Sequence, residues 1–227
     1  MHSKIYYLGS IILMILIAAF VACDDDDETA VPLNLDEATH KVLADVLDNN
    51  LDSLLFYRYD SLITPADFII APKQAFAPDD DSWFFFVDDA PGDRWAHPCR
   101  WIFVNSLNGD VTTIDESWPP ENLDDFTLYY TRDLAVEKVI SDIMFDSLES
   151  KDLYYTPGII QAGRRITNPY GGSYEAEKDS WFLFIDDLPE AFYAHDCRYV
   201  FVEIWGGDAT VYDEQWPPEL ELIQYEE

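Results

Sequence analysis

DSWFFFVDDAPGDRWAHPCRWIFVNSLNGDVTTIDESWPPE, residues 81–121, returns without a gap as DSWFLFIDDLPEAFYAHDCRYVFVEIWGGDATVYDEQWPPE at residues 179–219. The segments share 23 identities in 41 positions, and many of the differences are conservative, such as Val for Ile or Trp for Tyr. Repetition at this level marks a duplicated structural unit, and the residues kept in both copies are those that fold or function tolerates least. The runs 83–87 and 181–185 are continuously apolar and too short for helices, which fits central strands covered on both faces. Residues 99–105 pair with 110–115 through a turn at Gly109, and 197–204 with 208–213 through Gly206 and Gly207. Trp118-Pro119-Pro120 and Trp216-Pro217-Pro218 end each copy. A Pro-Pro pair cannot continue a ladder, and the indole is expected to lid the edge of the core.

Upstream of each copy lies a helical pattern. Leu35, Val42, Leu43, Val46, Leu47, Leu51, Leu54 and Leu55 form one apolar stripe, with Asn34 or Asp36 as cap. Val136, Val139, Ile140, Ile143, Ser147 and Leu148 repeat it after an Asp133 cap. Thr64-Pro65 and Thr156-Pro157 lie beyond the point where each helix must have stopped. The long connections that follow predict a further strand in 66–71 and another in 158–167. The expected fold class is α+β: two tandem repeats, each one helix packed on a three- or four-stranded antiparallel sheet. The expected boundaries are a signal peptide at 1–22, an acidic tether at 23–33, and repeat units at 34–122 and 123–227.

Composition limits the function. Asp and Glu number 45 against 13 Lys and Arg, a formal charge of −32, while 48% of residues are apolar and 15% aromatic. The apolar content demands a folded core. The charge repels phosphate and so excludes nucleic acid and anionic lipid headgroups, leaving a basic protein, a neutral glycan or a cation as partners. Acidic runs at 79–81, 88–89 and 124–125 lack the alternating spacing that wraps calcium and read as solvated turns. No cofactor and no metal site is implied.

Lys4 followed by the apolar run 11–21 has the form of a signal peptide rather than a membrane span. Phe20-Val21-Ala22-Cys23 resembles the bacterial lipobox, with Phe20 where leucine is usual; the resemblance implies cleavage before Cys23 and its acylation. Residues 24–28, DDDDE, are similar to the surface-export signal of certain Gram-negative lipoproteins. An outer-membrane lipoprotein facing the cell exterior is expected, with a periplasm-facing protein or an uncleaved anchor as alternatives. The membrane would be touched through the anchor only. The helix-plus-meander unit with its terminal hairpin is similar to PepSY-like and cystatin-like modules, and WAHPCRWIFV resembles stretches preceding caspase- or legumain-like peptidase domains. These resemblances imply a non-enzymatic protein-binding or regulatory module associated with peptidases, and carry over no catalytic residue.

His97-x-Cys99 and His195-x-Cys197 are the sharpest chemical candidates. In a strand, residues two apart share a face. Three arrangements are open: a Cys99–Cys197 disulfide in an oxidising compartment, two buried reduced thiols, or a Cys-His nucleophile or His₂Cys₂ metal site. Arg100 and Arg198 beside Asp88-Asp89 and Asp186-Asp187 predict a bidentate ion pair in each copy. Tyr170 and Tyr174, in the NPYGGSY insertion of the second copy alone, are candidates for a binding loop. The partner expected first is a protein of unknown identity, with glycan binding as the alternative and a Cys-His hydrolase as a distant one. Labelling cells with a palmitate analogue is expected to tag the wild-type chain but not Cys23→Ala; a label that survives the substitution overturns acylation at that residue.

Overall fold

The computed structural model describes residues 31–145 and 148–226. The signal segment, Cys23, the acidic run 24–28 and Ser147 lie outside the described residues.

The fold is α+β and rich in antiparallel sheet, with two short α-helices among the described residues. The first helix, Leu35–Lys41, starts on a capping box: Asn34 accepts from the Glu37 amide and Glu37 accepts from the Asn34 amide, each at 2.9 Å. The second, Arg132–Lys138, is capped by Thr131, whose hydroxyl accepts from the Leu134 amide at 3.3 Å, and not by the expected Asp133, which lies in the first turn. Each helix runs on into a single π-turn, Val42–Val46 or Val139–Ile143. Both stop earlier than their apolar stripes suggest. Asp48 and Asn49 adopt positive φ (50° and 56°) after the first, and Phe145 (54°) after the second; Asp and Asn tolerate this left-handed conformation, which ends a helix.

The apolar residues beyond those stops belong to strands. β1 (Leu55–Tyr59), β4 (Ser82–Asp88), β5 (Cys99–Asn105), β6 (Val111–Glu116) and β7 (Phe126–Leu128) form a five-stranded sheet in the order β6-β5-β4-β1-β7. β8 (Asp152–Tyr155), β11 (Ser180–Asp186), β12 (Cys197–Glu203), β13 (Ala209–Glu214) and β14 (Ile223–Gln224) form a second in the order β13-β12-β11-β8-β14. Each sheet is wider than the three or four strands expected. β1 and β8 enter its interior, and a short segment C-terminal to each Trp-Pro-Pro adds an edge. β7 lies beyond residue 122, so the first sheet draws on chain that the expected boundary at 122 assigns to the second unit. The additional strands predicted in 66–71 and 158–167 exist as β2 (Ile69–Ala71) and β9 (Arg165–Thr167). They join neither large sheet, pairing instead with β3 (Gln74–Phe76) and β10 (Ser173–Glu175) in separate hairpins.

The continuous apolar runs are explained by cover on both faces. On one face of the first sheet Phe56, Phe85, Val87, Ile102 and Val104 meet Ala38 and Val42 of the helical segment. On the other, Phe84, Phe86, Trp101 and Phe103 meet Ile63 and Ala71, with Ile69 and Phe76 of the small hairpin packed against them. The second sheet places Leu183, Ile185, Val200 and Val202 under Ala135, Val136 and Val139. Its Phe182, Phe184, Tyr199 and Phe201 lie under Ile160 and Ile166. Helix-facing cores are mainly aliphatic and hairpin-facing cores mainly aromatic. Each wholly buried side chain of this size contributes roughly 1.5–3 kcal/mol of transfer free energy.

Two indoles fix the helices to the sheets. Trp83 Nε1–H donates to the Leu33 carbonyl at 2.8 Å and Trp181 Nε1–H to the Tyr130 carbonyl at 2.9 Å, each acceptor standing just before a helix cap. The turn after β12 reaches the first sheet: Tyr130 N–H donates to the Ile204 carbonyl (2.7 Å) and Gly206 N–H to the Leu128 carbonyl (2.9 Å). Trp205 lies 5.9 Å from the Phe56 ring and 5.0 Å from the Tyr129 ring, with the Arg58 guanidinium 4.0 Å over it. Gly207, at φ 70°, faces the Tyr130 ring so closely that an added Cβ would overlap its carbons. No helix of the described residues is long and apolar enough to cross a membrane. Gly207→Ala is expected to destabilise the protein by about 1–3 kcal/mol through overpacking and a disfavoured φ, read as a lowered urea midpoint at unchanged slope.

Candidate functional site

Cys99 and Cys197 open β5 and β12, and both are buried free thiols. The structure does not bring them together. Cys99 belongs to the aromatic core of the first sheet and Cys197 to that of the second, so the disulfide alternative is not realised. Each thiol instead serves a carbonyl. Cys99 Sγ–H donates to the Trp118 carbonyl at 3.3 Å, and Trp101 Nε1–H reaches the same oxygen at 3.1 Å. Cys197 Sγ–H donates to the Trp216 carbonyl at 3.5 Å, joined by the Tyr199 hydroxyl at 2.9 Å. The Trp-for-Tyr exchange between copies thus preserves a donor to one oxygen.

These surroundings oppose a thiolate. Burial, and then the carboxylates of Glu116, Asp88 and Asp89, push the Cys99 thiol up to about 12. Burial with Glu214, Asp186 and Asp187 pushes Cys197 up to about 12 as well. A nucleophilic cysteine needs the opposite shift. The histidines two residues upstream are engaged elsewhere: His97 Nε2 lies 3.1 Å from Asp88 Oδ1 and His195 Nε2 lies 2.9 Å from Asp186 Oδ1. No group of three or more His, Cys, Asp or Glu among the described residues is placed to hold a metal ion.

The expected arginine pairs form. Arg100 grips Asp89 through two bonds of 2.9 and 2.6 Å, and Arg198 grips Asp187 through two of 2.9 and 2.7 Å. Arg198 also donates to the Ile143 carbonyl at 3.1 Å, tying the end of the second helical segment to its sheet. These guanidiniums are structural partners already occupied by carboxylates.

The two tyrosines of the insertion separate. Tyr170 is 70% exposed and rests on the Trp216 indole, ring centroids 4.1 Å apart. Tyr174 is committed to the fold: its hydroxyl donates to Glu214 at 2.9 Å and its ring packs against Tyr199 and Tyr212. Only Tyr170 of that pair is presented to solvent.

A more prominent surface lies in loops 89–98 and 187–196, joining β4 to β5 and β11 to β12. Trp95 is 81% exposed, Tyr193 at the equivalent position 85%, and the neighbouring Phe192 96%. Their loops are fastened at the base. Asp89 N–H donates to the Pro98 carbonyl and His97 N–H to the Ser117 carbonyl, each at 3.2 Å. Asp187 N–H and His195 N–H make the matching bonds to Asp196 and Gln215. Asp88 Oδ1 accepts from Ala90 N–H and Asp186 Oδ1 from Leu188 N–H, setting the first turn of each loop. Asp93, Glu190 and Asp196 are exposed in the same loops, as is Arg94. The aromatics at 95 and 193 recur between the copies, but they are not among the residues singled out from the sequence. The signal that marks them as loop residues is the run of Pro, Gly, Asp and Ala around them, which cannot form a ladder.

With alkylating reagent and no reductant, Cys99 and Cys197 are expected to stay unmodified in the folded protein and to react fully in urea, by peptide mass. Reaction only after reduction would mean a disulfide, and rapid reaction in the folded state would mean an activated thiol. No protein-family model, no curated protein and no solved structure matches the chain.

Proposed function

We propose that the chain is a non-catalytic, exported lipoprotein, anchored through Cys23, that binds a protein partner through the aromatic loops 89–98 and 187–196. The duplicated segment supplies two copies of one α+β unit, each presenting such a loop from its own sheet. The observation that carries this reading is the exposure of Trp95, Phe192 and Tyr193 on loops whose bases are fastened by backbone and side-chain hydrogen bonds. An exposed aromatic has no role in the core and a cost in solubility, and rigid aromatics are the preferred anchors of interfaces because little entropy is lost on binding. The partner is a protein surface bearing Lys and Arg. The two loops carry exposed carboxylates at 93, 190 and 196 against one exposed cation, Arg94, and a chain of −32 attracts cations over a distance. The buried thiols, with their raised pKa, speak against a Cys-His hydrolase.

A panel of Lys- and Arg-rich peptides and a panel of neutral oligosaccharides can be titrated against the wild type and the Trp95→Ala/Tyr193→Ala double variant. Basic peptides are expected to bind the wild type and to lose at least about tenfold in affinity in the variant, roughly 1.4 kcal/mol. Binding that is indifferent to the double substitution overturns the site. Perturbation by oligosaccharides alone replaces the protein partner with a glycan.

A further inference from the structure

Each recurring histidine meets through Nδ1 the carbonyl two residues before it, and His195 is held at both ring nitrogens. His195 Nδ1 lies 2.6 Å from the Tyr193 carbonyl oxygen, and Nε2 lies 2.9 Å from Asp186 Oδ1. Both partners are acceptors. A ring nitrogen bonds an acceptor only as N–H, and neutral imidazole carries a single N–H. We infer that His195 is held as the imidazolium and is a positioning residue, its cation clamping the exposed Phe192–Tyr193 tip to the carboxylate at the end of β11. His97 repeats the arrangement more loosely: Nδ1 lies 2.7 Å from the Trp95 carbonyl oxygen, while Nε2 approaches Asp88 at 3.1 Å without hydrogen-bond alignment. In each copy the acceptor at Nδ1 is the carbonyl of the exposed aromatic itself, so the ring orients that residue's backbone directly.

The surroundings favour the cation. Asp186 faces the ring from β11 and Asp196 from its own loop. The Tyr154 hydroxyl of β8 donates to Asp152 on the same strand and senses the Asp186 charge. Cys197 opens β12 beneath the loop, and Glu214 ends β13 just before Gln215, which holds the His195 amide. The cations of this corner, Arg198 and Lys151, are both on Asp187, at 2.7 and 3.4 Å. That leaves Asp186 to the imidazolium. The hydrogen bond to the Tyr193 carbonyl and then the Asp186 and Asp196 charges raise the His195 pKa, against partial burial. A raised folded-state value means that the clamp is complete below the unfolded value of about 6.5 and is lost as pH rises through the folded one. Above it, the neutral ring must give up either Tyr193 or Asp186.

The clamp rests on the proposed function only for its consequence, which is that the binding surface is set in mildly acidic conditions and loosens as pH rises through the folded-state pKa of His195. The test is ¹⁵N NMR of the imidazole rings in the intact protein from about pH 5 to 9, with the chemical shifts of residues 191–194 followed in the same samples. His195 is expected to carry hydrogen on both nitrogens at pH 6, to titrate above 6.5, and to take the loop shifts with it. Asp186→Asn is expected to lower that midpoint. His195→Gln is expected to remove the pH dependence of the loop while leaving Cys197 protected from alkylation, which certifies the fold. A single N–H tautomer at pH 6, or loop shifts that do not follow the ring, overturns the clamp. A ring that titrates as stated in a protein whose peptide binding ignores Trp95 and Tyr193 leaves the clamp standing and removes the binding role.

Discussion

One part-buried carbonyl oxygen beside each sheet sets much of what surrounds it. The chain leaves the ladder after β6 and β13, turns inward at Trp118 and Trp216, and is followed by two prolines with no N–H to offer. The carbonyl at that turn is part-buried, and a carbonyl removed from water without a donor costs roughly 1–3 kcal/mol. Cys99 and Trp101 satisfy it in the first sheet, Cys197 and Tyr199 in the second. Both donors come from the same strand two residues apart, so the strand must present that face inward. This places the next inward residues, Phe103 and Phe201, in the aromatic core, and turns the outward-facing Arg100 and Arg198 toward Asp89 and Asp187. The cysteine recurs as a small buried side chain whose weak donor meets that carbonyl in both copies.

From the same corner the chain runs up to the exposed loop. The residues that hold it, His97 and His195, stand two positions before the thiols and take their partners from the end of the preceding strand. Adjacent residues therefore divide between a dry core and a presented surface over three positions. That economy of sequence is why the motif H-x-C-R looks catalytic when read alone.

The two-sheet character was legible because the repeat supplied a comparison and because apolar runs of strand length stand out against turn residues. The interior strands β1 and β8 were hidden for a physical reason. Leu51, Leu54 and Leu55 continue the helical spacing past the stop, and the stop itself is made by Asp48 and Asn49 in a left-handed conformation that no periodicity records. The edge strands β7 and β14 are three and two residues long and carry no pattern at all. At the site, the ion pairs of Arg100 and Arg198 were foreseeable from recurrence and charge. The role of the thiols depended on a carbonyl 19 residues away in sequence, and that of the histidines on acceptors fixed by the loop. Tyr174 misled because a Gly-rich setting suggests exposure, whereas its hydroxyl has a carboxylate to reach.

The turn after β12 gives the duplication a direction. Trp205 of the second copy is inserted against Phe56 and Tyr129 of the first sheet, and the Arg58 guanidinium caps it from above. The equivalent position in the first copy is Leu107, which is exposed. The contact is therefore heterologous, a key on one copy and a lock on the other, in the sense that distinguishes head-to-tail association from a self-complementary pair. Head-to-tail contacts have no closure of their own, and the exposed Leu107 offers no indole where Trp205 stands, so the contact runs one way, from the second copy onto the first sheet.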